Sequence, residues 1–182
     1  MAEAFSNKLT RAAGIVTTSS SGSIGVTTTI ITGISTVGVA VSDLVDNTNF
    51  IAGTKVTGYG AAASQVVVDQ TSTNTATVTG SAIVNFLGMT TAYTSAAATK
   101  SILIGGTFAN NTDSSVNLTV EIHDASAGIQ AALASKIPVP TGSSFVISDA
   151  GKSVLEASDE VRVFCDTANA IDVNLSILTG VS

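Results

Sequence analysis

Apolar and polar positions alternate most cleanly along Val116-Asn-Leu-Thr-Val-Glu-Ile-His123. Period-2 alternation places Val116, Leu118, Val120 and Ile122 on one face and Asn117, Thr119, Glu121 and His123 on the other. It predicts a strand with one face on a core and the other in water. Shorter runs around it read the same way: Lys100 to Phe108, Ser144 to Ile147, Ser153 to Glu156, Glu160 to Cys165 and Ile171 to Leu178. Ile137-Pro-Val-Pro-Thr-Gly142 reads as an extended edge segment, because proline removes ladder donors. Turns are expected at Asn110 to Ser115, Ser148 to Gly151, Ala157 to Glu160 and Asp166 to Ala170, where Asn, Asp and Ser hydrogen-bond their own backbone. Turn signals every ~8–12 residues between short strands predict a small antiparallel sandwich or barrel over residues 100–182.

The first half is less regular. Ile24 to Thr32 and Ile34 to Val41 read as strands broken at Gly33, with Ser19 to Ser23 as a loop before them. A turn at Gly58-Tyr-Gly60 follows Val45 to Thr57, then strands at Gln65 to Asp69 and Val78 to Leu87. These runs make a β domain over residues 15–88. Residues 89–99, which include Thr90-Thr-Ala-Tyr-Thr-Ser-Ala-Ala-Ala-Thr99, have no clear period and almost no charge, and read as a linker. Residues 1–14 read as an N-terminal arm. Phe5, Leu9 and Ala12 or Ala13 recur at helical spacing and Gly14 ends the run, so a short helix competes evenly with a flexible arm. The expectation is therefore an all-β chain of two small antiparallel sandwich- or barrel-like domains with a short N-terminal arm.

Composition supports the β reading and narrows the function. Of the 182 residues, 45% are hydrophobic but only 4% aromatic, with no Trp, and 11% are charged. Mean hydropathy is +0.48. Val, Ile and Thr favour a pleated, half-buried surface. No apolar stretch reaches the ~20 residues of a membrane helix, so no membrane partner is expected. No apolar segment follows Lys8 and Arg11, which argues against a secretory leader. The net charge of -6 argues against binding nucleic acid through its phosphates.

Candidate chemistry is sparse. One His and one Cys exclude a histidine-rich metal centre and a disulfide framework. His123, between Glu121 and Asp124, is the obvious general base, but its place on the polar face of a strand reads as a solvated strand end. Cys165 beside Phe164 reads as a small buried hydrophobe. Gly58 to Gly60 and Gly105-Gly106 do not open a helix after a strand and are not phosphate cradles. Asp43, Asp46 and Asn47, like Asp159 and Glu160, offer oxygens without the spacing of a calcium loop. Asn110, Asn117 and Asn174 match the glycosylation triplet, which arises by chance in a Ser/Thr-rich chain. Tyr59 and Tyr93 are the two tyrosines available as sugar-stacking platforms. No catalytic, metal-binding or cofactor-binding residues are expected.

Two segments carry a resemblance. Ile51-Ala-Gly-Thr-Lys-Val-Thr57, Val66-Val-Val-Asp69 and the Thr-rich return to Phe86 resemble a β module recurrent in tailed-bacteriophage structural proteins. Ile137-Pro-Val-Pro-Thr-Gly142, Val154-Leu-Glu-Ala-Ser-Asp159 and Ile171 to Leu178 are similar to a second phage module, with Ser158 where a glycine is usual. The overall flavour resembles virion proteins of marine cyanophages. The resemblance implies a non-enzymatic virion structural protein, a head decoration or cement-type protein first. A neck, collar or tail-associated protein, or a fibre or tip protein touching the host, is the alternative. Its implied partners are other virion subunits and further copies of itself, a trimer by analogy, and its implied location is the virion. No active-site residues come with it.

Overall fold

The computed structural model describes residues 3–148 and 152–181. The chain is all-β and its sheets are antiparallel, with no helix among the described residues. It divides into two compact units: Ile15 to Met89, and a discontinuous unit that joins the residues up to Gly14 to those from Thr90 onward.

The discontinuous unit is a sandwich. Its first sheet has the order β1 (Ala4–Ala13), β15 (Ile171–Val181), β9 (Lys100–Asn110), β12 (Ser144–Ile147), with β13 (Ser153–Leu155) also paired to β9. The second has the order β11 (Ile129–Val139), β10 (Val116–Asp124), β14 (Glu160–Cys165), β8 (Thr90–Thr94). Alternate residues of each sheet enter one core: Leu103, Phe108, Val173, Leu175 and Ile177 from the first, and Val116, Leu118, Val120, Val161 and Val163 from the second. The chain leaves and rejoins this unit at neighbouring points, where the Gly14 N–H donates to Thr90 Oγ1 at 3.3 Å.

The continuous unit is one six-stranded sheet in the order β4 (Leu44–Asp46), β7 (Val78–Gly88), β2 (Ile15–Ile24), β3 (Ile30–Thr32), β6 (Gln65–Val68), β5 (Val56–Tyr59). The sheet curls until its ends meet. Leu44 bridges Lys55, and the Val45 N–H donates to Thr54 O at 2.8 Å. Ile24, Ile31, Val66, Val84 and Phe86 fill the inside.

Several expectations are corrected. Ala4 to Ala13 form neither a helix nor a loose arm but strand β1, which pairs with β15 from Ala4 onward; Met1 and Ala2 of the expected arm lie outside the described residues. Phe5 and Leu9, four apart, share a face in a strand as well as in a helix, so that spacing does not discriminate. The expected linker contains β8, which pairs with β14 through a bulge between Val161 and Arg162 that breaks the visible period. Ser19 to Ser23 lies inside β2, where a register shift between Ser19 and Gly22 disguises the strand. Ile34 to Val41 is a run of turns, whose Ile34 and Val39 still enter the core. Residues 129–136, not read as a strand, form most of β11, which does lie at a sheet edge, as Pro138 within it requires. Tyr59, placed in a turn, ends β5. The polar face of β10 is wet only in part: Asn117 is exposed and His123 half-buried, but Thr119 and Glu121 are buried. The turn expected at 148–151 lies, beyond Ser148, outside the described residues.

Candidate interaction surface

Several of the carboxylates that looked capable of chemistry are engaged in holding turns. Asp124 Oδ1 accepts the N–H groups of Ser126 and Ala127, both at 2.9 Å, and the Ser126 hydroxyl at 2.8 Å. Those bonds, the Ala127 N–H foremost, hold its carboxyl below the usual range. Asp159 is buried and clasps two turns, accepting from Ala125 N at 3.0 Å and Glu156 N at 2.9 Å. Asp43 accepts from Ala40 N at 2.8 Å. Burial nevertheless pushes its pKa up, against the opposing effect of that bond. Asn47 closes the turn at Asn49 and ties it to Ile83 O. Among the described residues no three His, Cys, Asp or Glu side chains come together as a metal site.

His123 is half-buried with Nδ1 shielded and unpartnered; it stands opposite Glu160 on β14. Arg162 Nε donates to Glu160 Oε2 at 2.7 Å. Cys165 is fully buried, and burial pushes its thiol up to about 11, far from the thiolate a nucleophile needs. Asn110 is buried and donates to Ser114 O and Val139 O, so this glycosylation match holds a turn. Asn117 donates to Asp166 Oδ2, while Asn174 is exposed. Tyr93 belongs to a buried hydroxyl chain with Ser101 (2.8 Å) and Ser95 (3.0 Å from Ser101). Tyr59 stays exposed, its hydroxyl donating to Val39 O at 2.6 Å. Gly58 to Gly60 and Gly105-Gly106 lie in or beside strands β5 and β9.

The outward face of the first sheet is different. Inward residues of β15 are Ile171, Val173, Leu175 and Ile177, so Asn174, Ser176 and Leu178 point away from the core. Register carries that face across the sheet. One row runs Phe5, Leu178, Ile102, Val154 over four strands, apolar from end to end. A second runs Leu9, Asn174, Thr107, Val146, apolar at both ends. Phe5 is 64% exposed, Leu9 74%, Val146 56% and Val154 58%. A shallow hollow of about 320 Å³ lies beside the second row, floored by Thr107 and Ala109 and rimmed by Leu9, Arg11 and Asp172. Scattered exposed apolar residues are ordinary on a protein surface, whereas these lie in ordered rows on one sheet face.

These rows were missed because register, not sequence proximity, builds them. A signal was present: Ile102-Leu-Ile104, Ile177-Leu178 and Phe145-Val-Ile147 are adjacent apolar residues where a strand with one wet face should alternate. No protein-family model matches this chain, and no curated protein or solved structure does.

Proposed function

We propose that the chain is a non-enzymatic structural protein of a tailed-phage virion, a head decoration or cement-type protein that works as a homo-oligomer and binds other virion subunits. The observation that carries this reading is the apolar outward face of the first sheet, with Phe5 and Leu9 at one end of its rows and Val154 and Val146 at the other. Burying such a face against a neighbouring subunit removes apolar area from water at roughly 25 cal/mol per Å² before the costs of association. A second support is that Asp124 and Asp159 are engaged in turns and the Cys165 thiol is buried away from solvent, which suits a scaffold rather than a reaction site.

Immunogold labelling of the phage particle with antibodies to this chain tests the location. Gold distributed over the head is the expected result. Gold confined to the neck, tail or fibres, or no gold on particles, overturns the decoration reading. Replacing both Phe5 and Val154 by Asp is expected to abolish incorporation while leaving the fold intact, because both side chains are already more than half exposed.

A further inference from the structure

Among the described residues β1 has one neighbour, β15, and nothing beyond it in the sheet. Its register with β15 is unbroken from Ala4 to Thr10, and the bulge comes only after Thr10. At that end Thr10 Oγ1 donates to Ala92 O of β8, so the clear edge is the stretch before it. Along that stretch Phe5 and Leu9 are exposed on the outward face with Asn7 between them. A regular, uncovered edge of this length is a template for another strand.

We infer that two copies of this chain pair through their β1 edges, antiparallel, with Asn7 opposite Asn7 of the second copy. The order of residues selects that register. An antiparallel pairing that keeps both outward faces on the same side must match residues of like parity. With Asn7 on the two-fold axis, Phe5 lies opposite Leu9 and, just past the ends of the regular stretch, Glu3 falls on the side of Arg11, each twice by symmetry. Lys8 then faces Ser6. Centring on Lys8 sets Lys8 against Lys8 and Arg11 against Phe5, and like charges directly opposite are destabilising. Centring on Ser6 puts Leu9 against Glu3. Only the Asn7 register joins apolar to apolar and acid to base. Arg11 lies on the required face, since it rims the hollow that Leu9 and Asn174 also line. The pairing also joins the Phe5 row of one copy to the Leu9 row of the other, giving one continuous sheet. It stands on the chemistry of β1 alone and not on the virion reading.

Sedimentation equilibrium of the full chain, with the Asn7→Cys variant as a proximity probe, tests this. The wild type is expected to be a dimer. Leu9→Asp is expected to weaken it by at least about tenfold. Glu3→Arg alone is expected to weaken it severalfold and Glu3→Arg with Arg11→Glu to restore it. Asn7→Cys is expected to form a disulfide-linked dimer under mild oxidation, whereas Lys8→Cys does not. The native Cys165 is fully buried and does not interfere. A monomer at about 100 μM, a trimer, a dimer indifferent to Leu9→Asp and the charge exchange, or equal crosslinking of both cysteine variants overturns the inference. None of these outcomes bears on the immunogold result.

Discussion

β1 and β10 are strands of nearly equal length in the same unit, and they live in opposite environments. β10 sits between β11 and β14, and from Leu118 to Glu121 every residue is buried. β1 has one neighbour, and of its residues only Ala13 is buried. The difference teaches that position in the sheet, rather than strand propensity, decides what a strand contributes. A central strand is fixed by packing on its sides, whereas an edge strand is held by its ladder and by whatever anchors its end.

The largest expected effect separates the two strands directly. Leu118 is 0% exposed, so Leu118→Ala loses transfer free energy and leaves a cavity, about 2–5 kcal/mol. Leu9→Ala removes a side chain already in water and is expected to stay within about 0.5 kcal/mol. Urea unfolding of both variants at low protein concentration, where self-association does not contribute, checks this. Equal losses would show that β1 packs as β10 does and would break the comparison.

The same contrast explains what could be read from the sequence. β10, β14, β9 and β7 were legible because each alternates, or runs apolar, against a core that demands it. β1, β8 and the first half of β11 were not. Residues exposed on both faces, as in β1 and the first half of β11, have no reason to alternate, a bulge breaks the period of β8, and Phe5 with Leu9 fits a helix face equally well. Bulges hid others: Ser19 and Gly22 straddle a register shift in β2, and the buried Ser19 hydroxyl, which accepts from Ser35 N at 3.3 Å, imitates loop chemistry. At the Ala157 to Glu160 turn the reading held although Ser158 stands where a glycine is usual, because Ser158 itself adopts φ 70°. The apolar rows needed partners such as Leu178 and Ile102, whose adjacency exists only after folding.

The next effect asks where β1 is anchored. Its end is, by burial, Ala13 and then Gly14. Gly14 adopts φ +122°, and a Cβ there would come within 2.4 Å of Thr167 O. That approach is to backbone and has no flexible tip to yield. Gly14→Ala is therefore expected to cost about 1–3 kcal/mol, several times the loss at Leu9. Hydrogen exchange is the sharper readout: amides of β1 should lose protection while those of β10 keep theirs. If β1 protection survives, the anchor lies elsewhere along the strand.

The smallest effect concerns the bulge that ends the regular part of β1. The Ala12 N–H donates to Asp172 Oδ1 at 2.9 Å. That bond, against the opposing effect of burial and with smaller help from the Asn111 side chain and the Arg11 charge, lowers the Asp172 pKa from its ordinary 3.8. The folded chain thus binds this proton less tightly than the unfolded chain does. The stabilisation is complete above the unfolded value and is lost as pH falls through the lower, folded one. Asp172→Asn keeps an oxygen to accept the Ala12 N–H and removes only the charge. At such an exposed site the difference should be below about 0.5 kcal/mol at neutral pH. The stability gap between wild type and variant should be present at pH 7 and shrink as the pH is lowered past 3.8. A gap that stays constant down to low pH would mean that the bulge is held by geometry and that the charge on Asp172 contributes nothing to fastening β1.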